Sequence, residues 1–220
     1  MNIGLIITAG GSGRRLGAKE GKPFVALNGK PIILYSCEAF QNIPEITQFV
    51  ITIDSERDAQ LQKVLSHYQM QDRFQIVKGG VTRQQSVQNG FEALKKTDYV
   101  MVHDAARPMV TLGVIQRVIE GSGAFPCVIP GLPVVDTMKR VENGQVIETV
   151  SRDHIYSVQT PQLFQYDRLK TIYEGGENMS VTDEAMLMEK NHIPIHVVPG
   201  DRRNIKITYP EDLFIASKCV

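Results

Sequence analysis

The chain of 220 residues has no net charge, because 24 Lys plus Arg stand against 24 Asp plus Glu. A balanced chain has no global field to gather nucleic acid or an anionic membrane surface, so neither partner is expected. Cysteine is scarce. Cys37, Cys127 and Cys219 are odd in number and widely spaced, and no CxxC or Cys/His cluster suggests zinc. Reduced, buried thiols in a cytoplasmic protein are the expectation. The first residues lack the basic start and apolar stretch of a signal peptide, and no long apolar run suits a membrane span. There is no internal repeat and no low-complexity segment. There is also no G-x-S-x-G elbow, no H-E-x-x-H and no outstanding carboxylate pair. These absences favour nucleotide chemistry run by cations and Mg²⁺.

What is present suffices for a core. Apolar residues make up 42% of the chain, and the length fits one α/β domain, 1–220. Strand-like and helix-like stretches alternate. Ile3–Thr8, Ile46–Ile53, Phe74–Val77, Asp98–His103, Ala124–Ile129 and Ile195–Val198 read as strands. Pro31 to Phe40, Ser55–Met70, Thr82–Leu94, Thr111–Gly121, Tyr166–Glu174, Thr182–Lys190 and a segment after Pro210 read as helices. Thr82-x-x-Gln85 has the form of a capping box. Such alternation predicts a doubly wound, mostly parallel sheet with helices on both faces. The rhythm breaks over about 132–160, where no helix is convincing. There Asn143-Gly144 sits between two strand-like arms, a strong hairpin signal. A lone hairpin is marginal, so this β-arm is expected to pack on something, most simply a second copy of the chain.

The glycines cluster just after the first strand, in "ITAGGSGRRLGAKEGKPF" (7–24). Such a loop lies beyond the carboxyl end of a strand, where backbone N–H groups can approach phosphate and nearby cations neutralise it. Arg14, Arg15, Lys19 and Lys22 supply the cations. Neither familiar phosphate motif fits. The third glycine of the dinucleotide fingerprint, Gly17, comes one residue late, and Glu20 is the only acid near the ribose position. The Walker pattern fails at Leu16 and Pro23. An anion-binding loop remains the reading, against a solvated Gly-rich surface loop.

Further stretches carry polar residues at element ends. "GGVTRQQS" (79–86) places Arg83 and Ser86 in the first turns of a helix, as an acceptor site or as an ordinary junction. "VHDAARP" (102–108) ends a strand with His103 and Asp104, followed by Arg107. Asp104 there suits Mg²⁺ or a ligand hydroxyl, or equally an ion pair with Arg107; His103 reads as structural. "VTDEA" (181–185) is a polar helix start, with Ser180 or Thr182 as its cap. In "NIKIT" (204–208) alternation points Lys206 away from the apolar face. Thr137, Lys139, Arg140 and Arg152 lie on the arm, and a solvated face accounts for Lys139 and Arg140.

Together, "AGGSGRR", "VHDAARP", "DTMKR", "QTPQLF", "TDEAMLMEK" and "NIKITYPEDL" resemble, in order and nearly end to end, the 2-C-methyl-D-erythritol 4-phosphate cytidylyltransferase family. The related ribitol-5-phosphate cytidylyltransferases share most of these motifs, but "TDEA" followed by Glu189 stands closer to the methylerythritol branch. The resemblance implies a Rossmann-like nucleotidyltransferase. It would transfer CMP from CTP to a sugar-alcohol phosphate with Mg²⁺ and work as a homodimer in the cytoplasm. It implies Arg15 and Lys22 at the α-phosphate, with Ala9, Gly10, Gly11, Ser12, Gly13, Gly80, Arg83 and Ser86 around the nucleotide. It implies Asp104 and Arg107 at the sugar phosphate or metal, Thr182 at the polyol and Lys206 on the acceptor phosphate. Thr137 and Arg152 would reach in from a partner's arm. Two departures stand out. The family usually reads Pro-Lys-Gln where this chain has Gly21-Lys22-Pro23, so Gly21 is expected to loosen the loop and Pro23 to stiffen it. The arm's usual Trp is absent, and Tyr156 is expected to fill its packing role.

Overall fold

The computed structural model describes residues 1–11, 13–17, 20–175 and 181–219. The first strand, β1 (Ile3–Thr8), is buried along its whole length. It pairs in parallel with β4 (Ile46–Ile53) on one side and β6 (Tyr99–Asp104) on the other. β5 (Gln75–Lys78) continues the parallel run beyond β4. A strand flanked on both sides and covered on both faces is apolar over most of its length, and the Ile/Leu/Val-rich centres of β1, β4 and β6 meet that demand. Leu5 and Ile7 pack with α1 (Ile32–Gln41), α2 (Asp58–His67) and α4 (Leu112–Gly121). Ile6, between them, packs with α3 (Arg83–Ala93), α5 (Tyr166–Glu174) and α6 (Glu184–Lys190). The sheet is therefore covered on both faces, as a doubly wound fold requires.

The far half of the sheet is mixed. β11 (Gln162–Gln165) enters antiparallel between β6 and β7 (Cys127–Pro133), a strand that the sequence reading held only as a motif. β12 (Ile195–Pro199) joins β7 in parallel, and β10 (Tyr156–Val158) pairs antiparallel with its end. A small ladder, β2 (Ala26–Leu27) with β3 (Lys30–Pro31), leads into α1, so Pro31 caps that helix rather than opening its first turn. The expected helix from Ser55 divides into a 3₁₀ turn, Ser55–Arg57, and α2. Thr82 caps α3 by accepting from Gln85 N–H at 3.1 Å. The return half of the box misses by one residue, because Gln85 Oε1 accepts from Val81 N–H at 2.9 Å.

The arm is a separate two-stranded sheet, β8 (Met138–Glu142) against β9 (Gln145–Val150). Its turn residues take φ 49° at Asn143 and 78° at Gly144, the left-handed pair that a two-residue hairpin needs. Arg140 pairs with Glu148 at 3.1 Å and Lys139 donates to Thr149 at 2.5 Å, the solvated face expected of them. Val141 and Val146 face each other across the ladder and are exposed. Tyr156 packs over Gly131 at the arm's base and stays half exposed. The last helix is α7 (Pro210–Ser217).

Candidate active site

The parallel strands β1, β4, β5 and β6 all end on one side, and the candidate residues gather there. Ala9 leaves β1 with its N–H on Thr52 O at 2.8 Å. The open side of Gly10 faces Ser86, whose Oγ lies 3.8 Å from where a Cβ would stand. Ser86 Oγ accepts from Gly80 N–H at 3.0 Å and donates to Thr82 O at 2.9 Å. Ala9, Gly10, Gly80 and Ser86 thus form one wall, held by backbone and a buried hydroxyl. Gly11 and Gly13 follow on the loop, and Ser12 lies outside the described residues.

The cations stand on the opposite wall. Arg15 is exposed on a short 3₁₀ turn, 5.7 Å from the Tyr209 ring centroid. Lys22 opens a second 3₁₀ turn, Lys22–Phe24, whose Pro23 and Phe24 are buried. Gly21 does not loosen the loop as expected. It is buried at φ 90°, a conformation suited to glycine, and Phe24 N–H closes the turn on its carbonyl at 3.2 Å. Burial lowers the Lys22 pKa to about 8, helped by repulsion from Lys206 and Arg15 and opposed by Asp104 and Asp212. These five charges therefore share one site.

Asp104 is the hub between the walls. Its Oδ2 accepts from Lys206 Nζ at 2.6 Å, and its Oδ1 accepts from Arg83 Nε at 3.1 Å and Thr8 Oγ1 at 3.3 Å. Burial opposes the charge on Asp104, but Arg83, Lys206 and Arg107 outweigh it and hold the carboxyl well below the usual range. Arg83 also donates to Glu184 Oε2 at 2.7 Å, and Glu184 is fully buried at the start of α6. Lys206 is presented by its buried neighbour Ile207, whose N–H is tied to Ala106 O at 2.8 Å.

Several expected placements differ. Arg107 does not turn to open space: it donates to the carbonyls of Asn204 at 2.8 Å and Val158 at 3.4 Å, and so clamps the segment that carries Lys206. Nor does it make the anticipated side-chain ion pair with Asp104. His103 is fully buried, edge-on to Phe40, and burial lowers its pKa to about 3, so it stays neutral. Thr182 is exposed, but the cap of α6 is Asp183, whose Oδ1 accepts from Met186 N–H at 3.1 Å. Ser180, the other expected cap, lies outside the described residues. Thr137 and Arg152 stand exposed on the arm, with Arg152 donating to Val135 O, and join none of these contacts in their own chain.

Asp104 does not fit the expected role of metal ligand. Both its oxygens already face cations, and among the described residues no three His, Cys, Asp or Glu side chains group to hold an ion. A resident Mg²⁺ would have to displace Arg83 or Lys206. Thr8, Glu184, Asp212 and the Asp54–Arg57 pair belong to the site's surroundings, and sequence reasoning missed them. The "TDEA" motif offered a signal for Glu184 and "NIKITYPEDL" one for Asp212, but neither showed the residue's role.

A Gly-rich loop after the first strand, with cations gathered over the carboxyl ends of a parallel sheet, defines a nucleotidyltransferase of α/β type. The sequence model of IspD, 2-C-methyl-D-erythritol 4-phosphate cytidylyltransferase, matches residues 3–220. The chain belongs to that family. It is 37% identical over 214 residues to the 2-C-methyl-D-erythritol 4-phosphate cytidylyltransferase of Bacillus mycoides, covering 96% of this chain and 95% of the relative. The Halalkalibacterium halodurans protein of the same name is 37% identical over 218 residues, covering 98% and 96%. Among solved structures, 4-diphosphocytidyl-2C-methyl-D-erythritol synthase from Anaerococcus prevotii superposes with a TM-score of 0.86 at 27% identity, over 99% of this chain and 95% of that one. The Francisella tularensis cytidylyltransferase gives 0.83 at 31% identity, over the whole of both chains.

Proposed function

We propose that this chain transfers CMP from CTP to 2-C-methyl-D-erythritol 4-phosphate, giving 4-diphosphocytidyl-2-C-methyl-D-erythritol and pyrophosphate. The observation that carries the reading is the meeting of Lys22, Arg15 and Lys206 around Asp104, with no general base among them. A phosphate monoester has a second pKa of about 6, so the acceptor is largely dianionic at neutral pH and needs no deprotonation. Its oxygen attacks the α-phosphorus in line. One P–O bond forms, the bond to the β-phosphate oxygen breaks, and pyrophosphate leaves with the electron pair. The protein's task is to bring two anions together and hold the developing charge.

Charge and chain position support the following roles. Ala9, Gly10, Gly80 and Ser86 frame the cytosine, and Gly11, Ser12 and Gly13 offer backbone to the triphosphate. Arg15 and Lys22 stabilise charge at the α-phosphate. Lys206 takes the acceptor phosphate, with Thr182 on the polyol. Arg83 holds Asp104, which keeps Lys206 and Lys22 in one site despite their repulsion. Mg²⁺ enters as the MgCTP complex, as part of the substrate. The chain acts as one domain with an arm at about 132–160. Val141 and Val146 on that arm suit packing against a second copy, which makes a homodimer with Thr137 and Arg152 serving the partner's site.

Two tests apply. Pyrophosphate release from MgCTP is measured with methylerythritol phosphate and ribitol 5-phosphate in parallel. Release with the first alone is expected; release with ribitol 5-phosphate alone transfers the chain to the sister activity. CTP binding without release in either well leaves a regulator. For the arm, Arg152→Ala and Lys22→Ala subunits are mixed. A shared site regains up to about a quarter of wild-type activity, since one intact site forms per mixed dimer and half the dimers are mixed. No recovery in verified mixed dimers excludes sharing.

A further inference from the structure

Arg57 touches both ends of the Gly-rich loop and belongs to none of the motifs. It closes the 3₁₀ turn after β4, where its N–H meets Asp54 O at 2.8 Å and its Nη1 meets Asp54 Oδ2 at 2.8 Å. The same Nη1 lies 3.5 Å from Gly11 O, at the start of the loop. At the loop's other end the guanidinium lies over Gly21. A Cβ on Gly21 would stand 2.6 Å from Arg57 Cζ and Nε and 3.1 Å from Nη1. Position 21 is therefore glycine for two independent reasons: its φ of 90°, and the arginine that occupies the side-chain space. The next residue is Lys22, and beyond it Phe24 is anchored in the core.

We propose that Arg57 is a positioning residue for Lys22. Its planar group, fixed by Asp54, replaces a side chain at position 21 and clamps Gly11 and Gly21 so that the lysine is in place before the triphosphate arrives. This rests on the reading of the loop as the triphosphate site. It also accounts for the Gly21-Lys22-Pro23 departure: the stiffness absent from residue 21 is supplied by a side chain on another strand's end. Lysine at 57 keeps the ion pair with Asp54 but has no flat face to cover Gly21.

The test is a double-mutant cycle read in steady-state kinetics. Arg57→Ala is expected to lower kcat/KM for MgCTP by about 10-fold or more, since small misplacements of a positioned group cost up to about 100-fold. KM for the acceptor should move less than about twofold, because Arg57 contacts neither Lys206 nor Asp104. Arg57→Lys should fail to rescue. Gly21→Ala should itself be deleterious, because its Cβ expels the guanidinium. The double variant should then lie within about threefold of the worse single variant, since both changes remove one contact. Multiplicative losses, full rescue by Lys, or equal effects on both substrates overturn the positioning role. Melting curves of each variant separate these outcomes from unfolding: a lower melting temperature with normal kcat/KM in the folded fraction also overturns it. Lys22→Ala in the same series keeps the two failures apart. Normal turnover there overturns the loop reading and this proposal with it, whereas a loss there with multiplicative Arg57 and Gly21 effects overturns this proposal alone.

Discussion

Lys22→Ala should lower turnover by about 100- to 1,000-fold, the cost of removing one preorganised donor from a developing oxyanion. The fold should survive, because Lys22 is only partly buried and its turn is anchored by Pro23 and Phe24. The wild-type enzyme should carry a pH signature of the same residue. With its pKa lowered from 10.5 to about 8, Lys22 loses its charge in the free enzyme over the range in which an ordinary lysine keeps it. The kcat/KM for CTP, which reports free-enzyme ionisations, should fall above about pH 8. Stability moves the other way. Between about 8 and 10.5 the unfolded chain binds the Lys22 proton more tightly than the folded one, so this residue's contribution to stability rises with pH. Loss of fold through Lys22 therefore does not explain the fall in activity.

Burial sets the direction of this shift, and the neighbouring charges adjust it. Lys206 lowers the Lys22 pKa and Asp104 raises it. Lys206→Met should move the alkaline limb to higher pH, and Asp104→Asn should move it lower. Residual kcat/KM, followed from pH 6 to 10, reads both shifts even where the absolute rate is poor. Shifts in the same direction, or none, break the assignment of the limb to Lys22. A Lys22→Ala enzyme with near-normal turnover ends its role altogether.

The parts of this site that sequence displays are those built from local chemistry. β1 and β4 are rich in Ile, Val and Thr, and their bounds could be read from the chain because strands buried over most of their length show few polar interruptions. Asn143-Gly144 announces its own turn. Lys22, Asp104 and Ser86 stand at or near element ends and Lys206 in a connecting segment, where a parallel sheet places ligands. What stayed hidden depends on register between distant segments. β11 has four residues, too few to show a period, and its place is fixed only by β6 and β7 on either side. Arg57 sits in a polar helix start that reads as solvent-facing, and nothing nearby in the chain shows that Gly21 lies under it. Arg107 read as a substrate ligand because its motif carries an arginine. Only the fold shows its donors turned to the carbonyls of Asn204 and Val158. Glu184 looked like part of a polar cap, since a carboxylate's burial is set by the arginine that reaches it, here from position 83.

That buried carboxylate should make Glu184→Ala the most destabilising of the site's single changes. Glu184 is fully buried, and its Oε2 receives Arg83 Nη1 at 2.7 Å. Burial raises its pKa, and Arg83 opposes that rise by ion pairing and hydrogen bonding. Removing one member of such a pair costs up to roughly 3–5 kcal/mol, here moderated because Arg83 keeps Asp104. For a chain of this length that corresponds to a drop of roughly 6–20 °C in melting temperature. Glu184→Gln keeps the shape and one acceptor, so it should lose only the charge-assisted part, about 1–1.5 kcal/mol. The damage should also reach the acceptor substrate. Arg83, left with Asp104 as its one carboxylate partner, competes with Lys206 for it, so KM for methylerythritol phosphate should rise in the Gln variant while KM for CTP changes less. Urea melts of the three proteins measure the first effect and initial rates the second. An Ala variant as stable as Gln would mean that the Arg83–Glu184 pair does not hold the native state together. A Gln variant with KM raised equally for both substrates would place Glu184 outside the acceptor side of the site.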